Sequence, residues 1–359
     1  MLKPKIYFEN SLSSNKGSGI ADFSRVFLEN KAIRENIRVI NQPLVKRYLR
    51  RNIKLYKYLY RVVNSSKIST IIYQIIEVQL FLLLRGNNIY LINPYHNLFL
   101  PFSKKRYVST IHDLVYFDLP LNYKPIIRFY NQLLLKWSIK NSKIIITVSE
   151  YTSNEIIKRF KTKAEPFIIY NSYKIIDKEV NTVECHKRKD ERYFLYFGGA
   201  DPRKNLKVMF ELYKHYRKIH ASPIRLFCTK EKEDYQLILG DKFEFPNDVF
   251  FLGRISDRYL DRLIRYANGV LYLSDYEGFG RPLMEAAVYK VPTIAMDLPV
   301  YQEIPNSSII SFSSIEESSK ILLKLATSKQ DLNRIARYNN KFMPETNSEK
   351  ILKLIHSLS

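Results

Sequence analysis

Short apolar runs alternate with helix-periodic stretches along the whole 359-residue chain, and this alternation constrains the fold most. The first set of strand-like runs is "KIYFE" (5–9), "NIYLIN" (88–93), "RYVSTIHD" (106–113), "KIIITVS" (143–149) and "PFIIYN" (166–171). The second set is "RYFLYFGG" (192–199), "IRLFCTK" (224–230), "DVFFLGR" (248–254), "GVLYLSD" (269–275), "PTIAMD" (292–297) and "SIISF" (308–312). Uniformly apolar strands separated by helices predict parallel sheets covered on both faces. The polar, charged stretch "NTVECHKRKDER" (181–192) divides the sets. The expected fold class is α/β, with two Rossmann-like domains whose parallel sheets face across a cleft. We place the domains at 1–182 and 183–345, with a C-terminal helix over 346–359 that can return to the first domain.

Composition agrees with a globular protein, 46% hydrophobic and 26% charged. Cys185 and Cys228 are too few for a disulfide framework and read as reduced thiols. The N-terminal segment runs straight into a strand and lacks a signal-peptide apolar region, so secretion is not expected.

The formal charge of +23 is lopsided. Residues 1–180 hold 30 Lys and Arg against 12 Asp and Glu, whereas the remainder holds 28 against 23. No acid occurs in 36–76, where Val45, Tyr48, Leu49, Tyr56, Leu59, Tyr60 and Val63 recur at helical spacing. Arg47, Arg50, Arg51 and Lys54 fall elsewhere on that wheel, which predicts a basic amphipathic helix over 45–63. It can be a solvated face, a contact for an anionic membrane surface or lipid-phosphate acceptor, or a nucleic-acid contact. The second reading leads, and nucleic acid is not expected, because no DNA- or RNA-binding signature accompanies the charge. The run 68–84 is short and interrupted by Gln74, Glu77 and Gln79, so it reads as a buried helix, not a membrane span.

"SDYEGFGRPLMEAA" (274–287) follows one strand, turns on glycines and enters a helix at Pro282. Such a turn presents free N–H groups and a positive dipole end to an anion. A carboxylate there, Glu277, would repel a phosphate unless one ligand carries both phosphate and hydroxyl groups; carboxylates accept well from hydroxyls. The stretch asks for a phosphorylated polyol. The bland alternative is a common glycine turn with Glu285 as an ordinary first-turn charge. Arg203 and Lys204 stand at another strand-to-helix turn, where cations are unfavourable without an anion to bind. We read Lys204 and Glu277 as lying on surface turns, where core packing is not at stake. His112 follows an apolar strand and is either a core or capping histidine or a site residue. The chain has no D-x-D pair, so no metal is implied.

In order along the chain, "KGSGIADFSR" (16–25), "TIHDLVYFDLP" (110–120), "ITVSEYTSNEI" (146–156), "FLYFGGADPRKNL" (194–206) and "YEGFGRPLMEA" (276–286) resemble the motifs of the family 4 retaining glycosyltransferases. That family has the two-domain GT-B fold and an E-x7-E signature. The resemblance implies that Lys204 faces the donor diphosphate and that Glu277 faces the transferred sugar with Gly278, Phe279 and Gly280. Glu285 then binds the ribose, and His112 reaches the donor sugar. Gly17, Gly19 and Ile20 form the first phosphate loop; Arg254 and Ile255 lie by the nucleobase; Arg203 and Leu283 complete the donor site. Two departures stand out. Gly199 occupies a position where many members carry arginine, and the sequence leaves open whether Arg203 replaces that charge. Lys290 replaces a turn glycine, which sets a residue that disfavours positive φ at a turn.

The implied activity is transfer of a hexose, first mannose from GDP-mannose, with rhamnose or a UDP-hexose behind, to a lipid-linked glycan in bacterial surface-polysaccharide synthesis. The nucleotide sugar is a substrate and no cofactor is implied. The partners expected are that donor, the lipid-linked acceptor and the anionic inner-membrane surface, with the enzyme peripheral on its cytoplasmic face. The alternatives are a GT-B sugar-nucleotide epimerase and a non-enzymatic basic adaptor for membranes or nucleic acid.

Overall fold

The computed structural model describes residues 4–10, 19–53, 56, 72–85, 88–96, 98, 106–162, 164–173, 191–220, 223–304, 308–328 and 339–358. Gly17, Lys54, Cys185 and the anticipated domain boundary after residue 182 lie outside the described residues. The chain divides into two compact units, Met1–Ser172 with Asn340–Ser359, and Tyr173–Asn339.

In unit 1 the strands β1 (Lys5–Glu9), β2 (Arg38–Ile40), β3 (Ile89–Asn93), β4 (Tyr107–Ile111), β5 (Ile144–Thr147) and β6 (Phe167–Ile168) pair in parallel. Their order is β2-β1-β3-β4-β5-β6, with Ile6 opposite Tyr90 where β1 meets β3. β4 is buried at all five positions, as a strand covered on both faces must be. β2 has no counterpart in the sequence reading. It is a three-residue edge strand, exposed at Arg38, and too short to show a period.

The helices of this unit are α1 (Gly19–Glu29), α2 (Lys31–Asn36), α3 (Gln42–Asn52), α4 (Val78–Leu84), α5 (Val115–Asp118), α6 (Pro125–Asn141) and α7 (Glu150–Phe160). The expected basic helix over 45–63 is corrected at its centre. α3 starts at its cap Asn41 and stops at Asn52, because Ile53 is extended (φ −124°, ψ 109°). Its apolar side does face inward. Val45 and Leu49 join Val78, Phe81 and Leu82 of α4 in one core cluster, and Trp137 of α6 packs on it, so α3, α4 and α6 cover the same sheet face. α4 is preceded by a π-turn (Tyr73–Glu77), and the described part of the run 68–84 is helical with a buried side.

Unit 2 repeats the architecture. Strands β7 (Tyr193–Tyr196), β8 (Arg225–Cys228), β9 (Val249–Phe251), β10 (Gly269–Tyr272), β11 (Thr293–Ala295) and β12 (Ile309–Ser311) form a parallel sheet ordered β12-β11-β10-β7-β8-β9. Helices α8 (Leu206–Ile219), α9 (Lys232–Leu239), α10 (Asp257–Tyr266), α11 (Arg281–Val288) and α12 (Ile315–Thr327) lie between or after them. β7 and β10 are buried throughout, and Val270 lies opposite Leu195. The last helix, α13 (Pro344–Leu358), belongs to unit 1 and packs against α1 and α2. Asn347 on it donates to the Tyr170 carbonyl at 2.7 Å.

Candidate functional site

In a doubly wound sheet the chain leaves a crevice where strand order reverses, at the carboxyl ends of the strands. In unit 2, β7, β8 and β9 run outward in one direction and β10 returns on the other side of β7. The reversal lies between β7 and β10. The loops that follow these two strands carry Lys204 and Glu277.

Local geometry explains how each loop is held. After β7, Asp201 accepts from the Arg203 N–H at 3.1 Å and caps a single 3-10 turn, Pro202–Lys204. Asn205 then takes a left-handed conformation (φ 49°) and opens α8. After β10, the Asp275 N–H donates to the Arg203 carbonyl at 2.9 Å, and Asn205 donates to the Asp275 carboxylate at 2.8 Å. The two loops are thereby laced to each other. Gly280 closes the second loop at φ 84°, and a Cβ there would lie 2.6 Å from the Tyr301 ring, so glycine is required on two counts.

The side chains converge on Glu277. Lys204 Nζ lies 2.5 Å from Glu277 Oε1, the Tyr272 hydroxyl 2.6 Å and Ser274 Oγ 2.7 Å. Lys204 also donates to the Tyr272 hydroxyl at 2.7 Å. Glu277 Oε2 faces Arg203 Nη1 at 3.8 Å. Both members of the pair are buried, Lys204 at 5% and Glu277 at 6% exposure, which corrects their reading as surface-turn residues. Burial opposes the charged carboxylate, yet Lys204 and Arg203 outweigh it and hold Glu277 down at about 2. Burial pushes the Lys204 ammonium below its ordinary value, opposed by Glu277. An ammonium has three donors. Two are used here, leaving one for an oxyanion, while Oε2 remains the oxygen most open to a hydroxyl.

The other predicted donor residues are placed as follows. Gly278 and Phe279 lie in the same loop, with Phe279 buried as an apolar anchor. Leu283 and Glu285 lie on α11, with Pro282 in its first turn. Glu285 is not part of the Lys204 network. It is buried against Arg281, whose Nε is 2.6 Å from Oε1, and burial pushes its carboxyl up against the pull of that guanidinium. Arg254 and Ile255 follow the edge strand β9, and Arg254 is exposed. Gly199 has φ 78°, a conformation that would strain an arginine there, while Arg203 stands beside Glu277.

Unit 1 reverses its strand order between β1 and β3. Gly19 and Ile20 are the first residues of α1, after β1. His112 follows β4, edge-on to Phe23 of α1 at 5.3 Å. Its Nε2 lies 2.8 Å from the Pro94 carbonyl, which can only accept, so Nε2 carries a proton. Burial lowers its pKa, against the Pro94 bond and Asp113, and favours the neutral ring with Nδ1 as an acceptor. Sequence reasoning missed His96, in the turn after β3. It is 1% exposed, its ring lies 4.1 Å from that of Tyr95, and neither nitrogen has a hydrogen-bond partner among the described residues. It also missed Tyr272 and Ser274; their only signal was a polar tail, "YLSD", on an otherwise apolar strand.

The V-S-E turn has a structural role in this chain. Ser149 caps α7 by accepting from the Thr152 N–H at 3.0 Å, and Glu150 accepts from Lys341 at 2.9 Å and from the Tyr170 hydroxyl. Among the described residues no group of three or more His, Cys, Asp or Glu is placed to hold a metal ion. No described helix is long and apolar enough to cross a membrane.

Residues 177–342 match the family described as glycosyl transferases group 1. The O-antigen chain mannosyltransferase RfbU of Salmonella typhimurium is 30% identical over 237 residues, covering 64% of this chain and 63% of that protein. The O-antigen chain mannosyltransferase B of Escherichia coli is 28% identical over 236 residues, 58% of each. The matched region thus spans less than two thirds of either relative's length. Among solved structures, Anabaena HepE in complex with UDP-glucose is similar with a TM-score of 0.63 at 14% identity, covering 99% of this chain and 100% of that one. A putative UDP-N-acetylglucosamine 2-epimerase from Listeria monocytogenes is similar with a TM-score of 0.55 at 14% identity, covering 99% and 96%. These structural likenesses establish the GT-B fold, which hosts more than one chemistry. The Lys204 and Glu277 loops both lie inside residues 177–342, the part of the chain that matches the group 1 glycosyltransferases.

Proposed function

We propose that this chain is a retaining glycosyltransferase that moves a hexose, first mannose from GDP-mannose, to a lipid-linked glycan in O-antigen-type surface-polysaccharide synthesis. The observation that carries the reading is the buried Lys204–Glu277 pair at the β7/β10 reversal, beside Arg203. Breaking a sugar–diphosphate bond moves its electron pair onto the leaving phosphate and leaves positive charge on the sugar ring. The remaining donor of Lys204, the Arg203 guanidinium and the N–H groups at the start of α11 neutralise the phosphate, an electrostatic contribution of several kcal/mol. Glu277 Oε2 accepts from sugar hydroxyls and offsets the ring charge. The incoming hydroxyl attacks on the face the phosphate leaves and gives its proton to a phosphate oxygen, so configuration is retained. No protein-held metal enters this scheme.

Mannose as the sugar is supported by the two O-antigen mannosyltransferase relatives. The acceptor is assigned to unit 1, which carries the basic excess and, on α3, the exposed Arg47, Arg50 and Arg51. In this reading the enzyme works peripherally on the cytoplasmic face of an anionic inner membrane, with Lys54 continuing the basic stretch.

The test incubates the protein with GDP-mannose, dTDP-rhamnose and UDP-hexoses, with and without lipid-linked acceptor. Released nucleotide is measured, and the anomeric configuration of the product is read by NMR. Acceptor-dependent GDP release with a retained α-linkage is expected. Conversion of a sugar nucleotide to its epimer would replace the transferase reading, and no turnover of any donor would remove it.

A further inference from the structure

Unit 1 carries a second apolar surface that the donor chemistry does not use. α6 buries Leu134, Leu135 and Ile139 against the sheet, as an amphipathic helix should. Its opposite side is not polar. Ile126 is 77% exposed, Phe129 67% and Leu133 51%, and Leu121 in the preceding turn is 92% exposed. Positions 126, 129 and 133 are neighbours on one helix face. Isolated exposed leucines are ordinary, but a contiguous stripe marks a contact surface.

The same face continues into Lys136 and Lys140, both exposed, and Lys124 precedes it. No Asp or Glu occurs from 119 to 149. The surrounding surface is equally one-sided. Every large exposed apolar side chain described in unit 1 lies on α3, α4, α6 or the turns just before α4 and α6. These are the helices packed on one face of the sheet, and the exposed arginines of α3 are among them.

We infer that this face docks on the surface of an anionic lipid bilayer, with Ile126, Phe129 and Leu133 entering the headgroup–acyl boundary. Lys124, Lys136 and Lys140 would lie along headgroup phosphates, their alkyl stems against the apolar layer. A second copy of the chain is a poor occupant, because a lysine-rimmed patch on a protein of charge +23 repels its own image. The inference extends the membrane reading, moving the apolar anchor from the basic stretch to α6. It does not depend on the identity of the donor.

The test uses the full chain with phosphatidylcholine vesicles, with and without phosphatidylglycerol. Trp137, the single tryptophan, lies on α6 itself. Docking is expected to let brominated phosphatidylcholine in anionic vesicles quench its fluorescence. In co-sedimentation, Ile126→Glu with Phe129→Glu should weaken binding about tenfold or more, with the melting temperature and transfer to a water-soluble acceptor kept. Because both side chains are mostly exposed, the fold does not depend on them. Parent-like sedimentation of the double variant, absence of Trp137 quenching in bound protein, or a parent dimer that the variant dissociates would each overturn the inference. Loss of the transfer reading would be seen separately, as no turnover in the soluble assay by either protein.

Discussion

The two strand-order reversals of this molecule handle buried polar groups in opposite ways. In unit 2, Glu277 Oε1 receives Lys204, Tyr272 and Ser274, and the loops carrying the pair are bonded to each other. In unit 1, His112 spends one ring nitrogen on the Pro94 carbonyl, and His96 is buried with no described partner for either nitrogen. The first arrangement holds charge in position before any ligand arrives, which is what electrostatic catalysis needs. The second leaves hydrogen-bonding capacity unspent, at a cost in stability. The unit 2 reversal is preset by its own side chains, whereas the unit 1 reversal leaves the His96 nitrogens unspent.

Breaking the preset pair should have the largest effect. Lys204→Ala and Glu277→Gln are each expected to lower transfer about a thousandfold, equivalent to about 4 kcal/mol of transition-state stabilisation. Each also takes from its buried partner the nearest opposite charge, a loss of up to about 3–5 kcal/mol in stability. The double variant Lys204→Ala with Glu277→Gln removes both charges and should lose less stability than the sum of the two single changes. Denaturant unfolding of the three variants checks this, and additive destabilisation would show that the two side chains are not coupled.

Acid should separate the two units next. Burial lowers the His96 pKa to about 3, with His112 adding to the effect. An unfolded histidine titrates near 6.5, so between about 6.5 and 3 the unfolded chain binds the extra proton. His96 therefore contributes stability that is fully present above about pH 6.5 and is lost as pH falls, at up to about 1.4 kcal/mol per pH unit. His112 shifts in the same direction. Glu277, held at about 2, contributes stability that persists down to the ordinary carboxylate range and is lost only as pH approaches 2. Unit 1, reported by Trp137 fluorescence, should unfold at higher pH than unit 2, reported by hydrogen exchange in β7 and β10. His96→Leu should flatten the unit 1 slope between pH 6.5 and 4. An unchanged slope would mean that His96 finds a partner in solution.

Much of this comparison was legible in the residues. Every run read as a strand contains one, because strands buried on both faces need uninterrupted apolar sequence. β2 escaped because an edge strand of three residues carries no period. The end of α3 at Asn52 escaped because its basic residues continue at helical spacing past the break. Lys204 was identifiable as a cation that is unfavourable at a helix start, and Glu277 as a carboxylate in a turn suited to an anion, but their direct pairing was not. It depends on β10 returning beside β7, a non-local event. His96 was invisible for the same reason, since nothing in "NPYHN" tells that its histidine is buried.

Lys290 offers the smallest effect and the cleanest local argument. The anticipated strain is present, at φ 52°. Its N–H donates to the Ala287 carbonyl at 2.9 Å, and the Val291 N–H reaches back to Ala286 at 3.0 Å. Those two bonds form a Schellman ending to α11, with Lys290 at the left-handed position that glycine normally fills. A non-glycine residue there costs about 1–2 kcal/mol, whereas glycine adds conformational freedom to the unfolded chain worth part of that. A lysine near a helix C-terminus also gains about 0.3 kcal/mol or more from the dipole. Lys290→Gly should therefore stabilise the protein by about 0.5 kcal/mol, and Lys290→Ala, which keeps the strain and loses the charge, should destabilise it slightly. Because Lys290 is exposed and lies beyond the far end of α11 from Gly280, transfer should be unaffected by either change. Thermal unfolding of both variants against the parent measures the difference. A glycine variant less stable than the alanine variant would show that the helix end relaxes out of the left-handed conformation, so that Lys290 carries no strain to relieve.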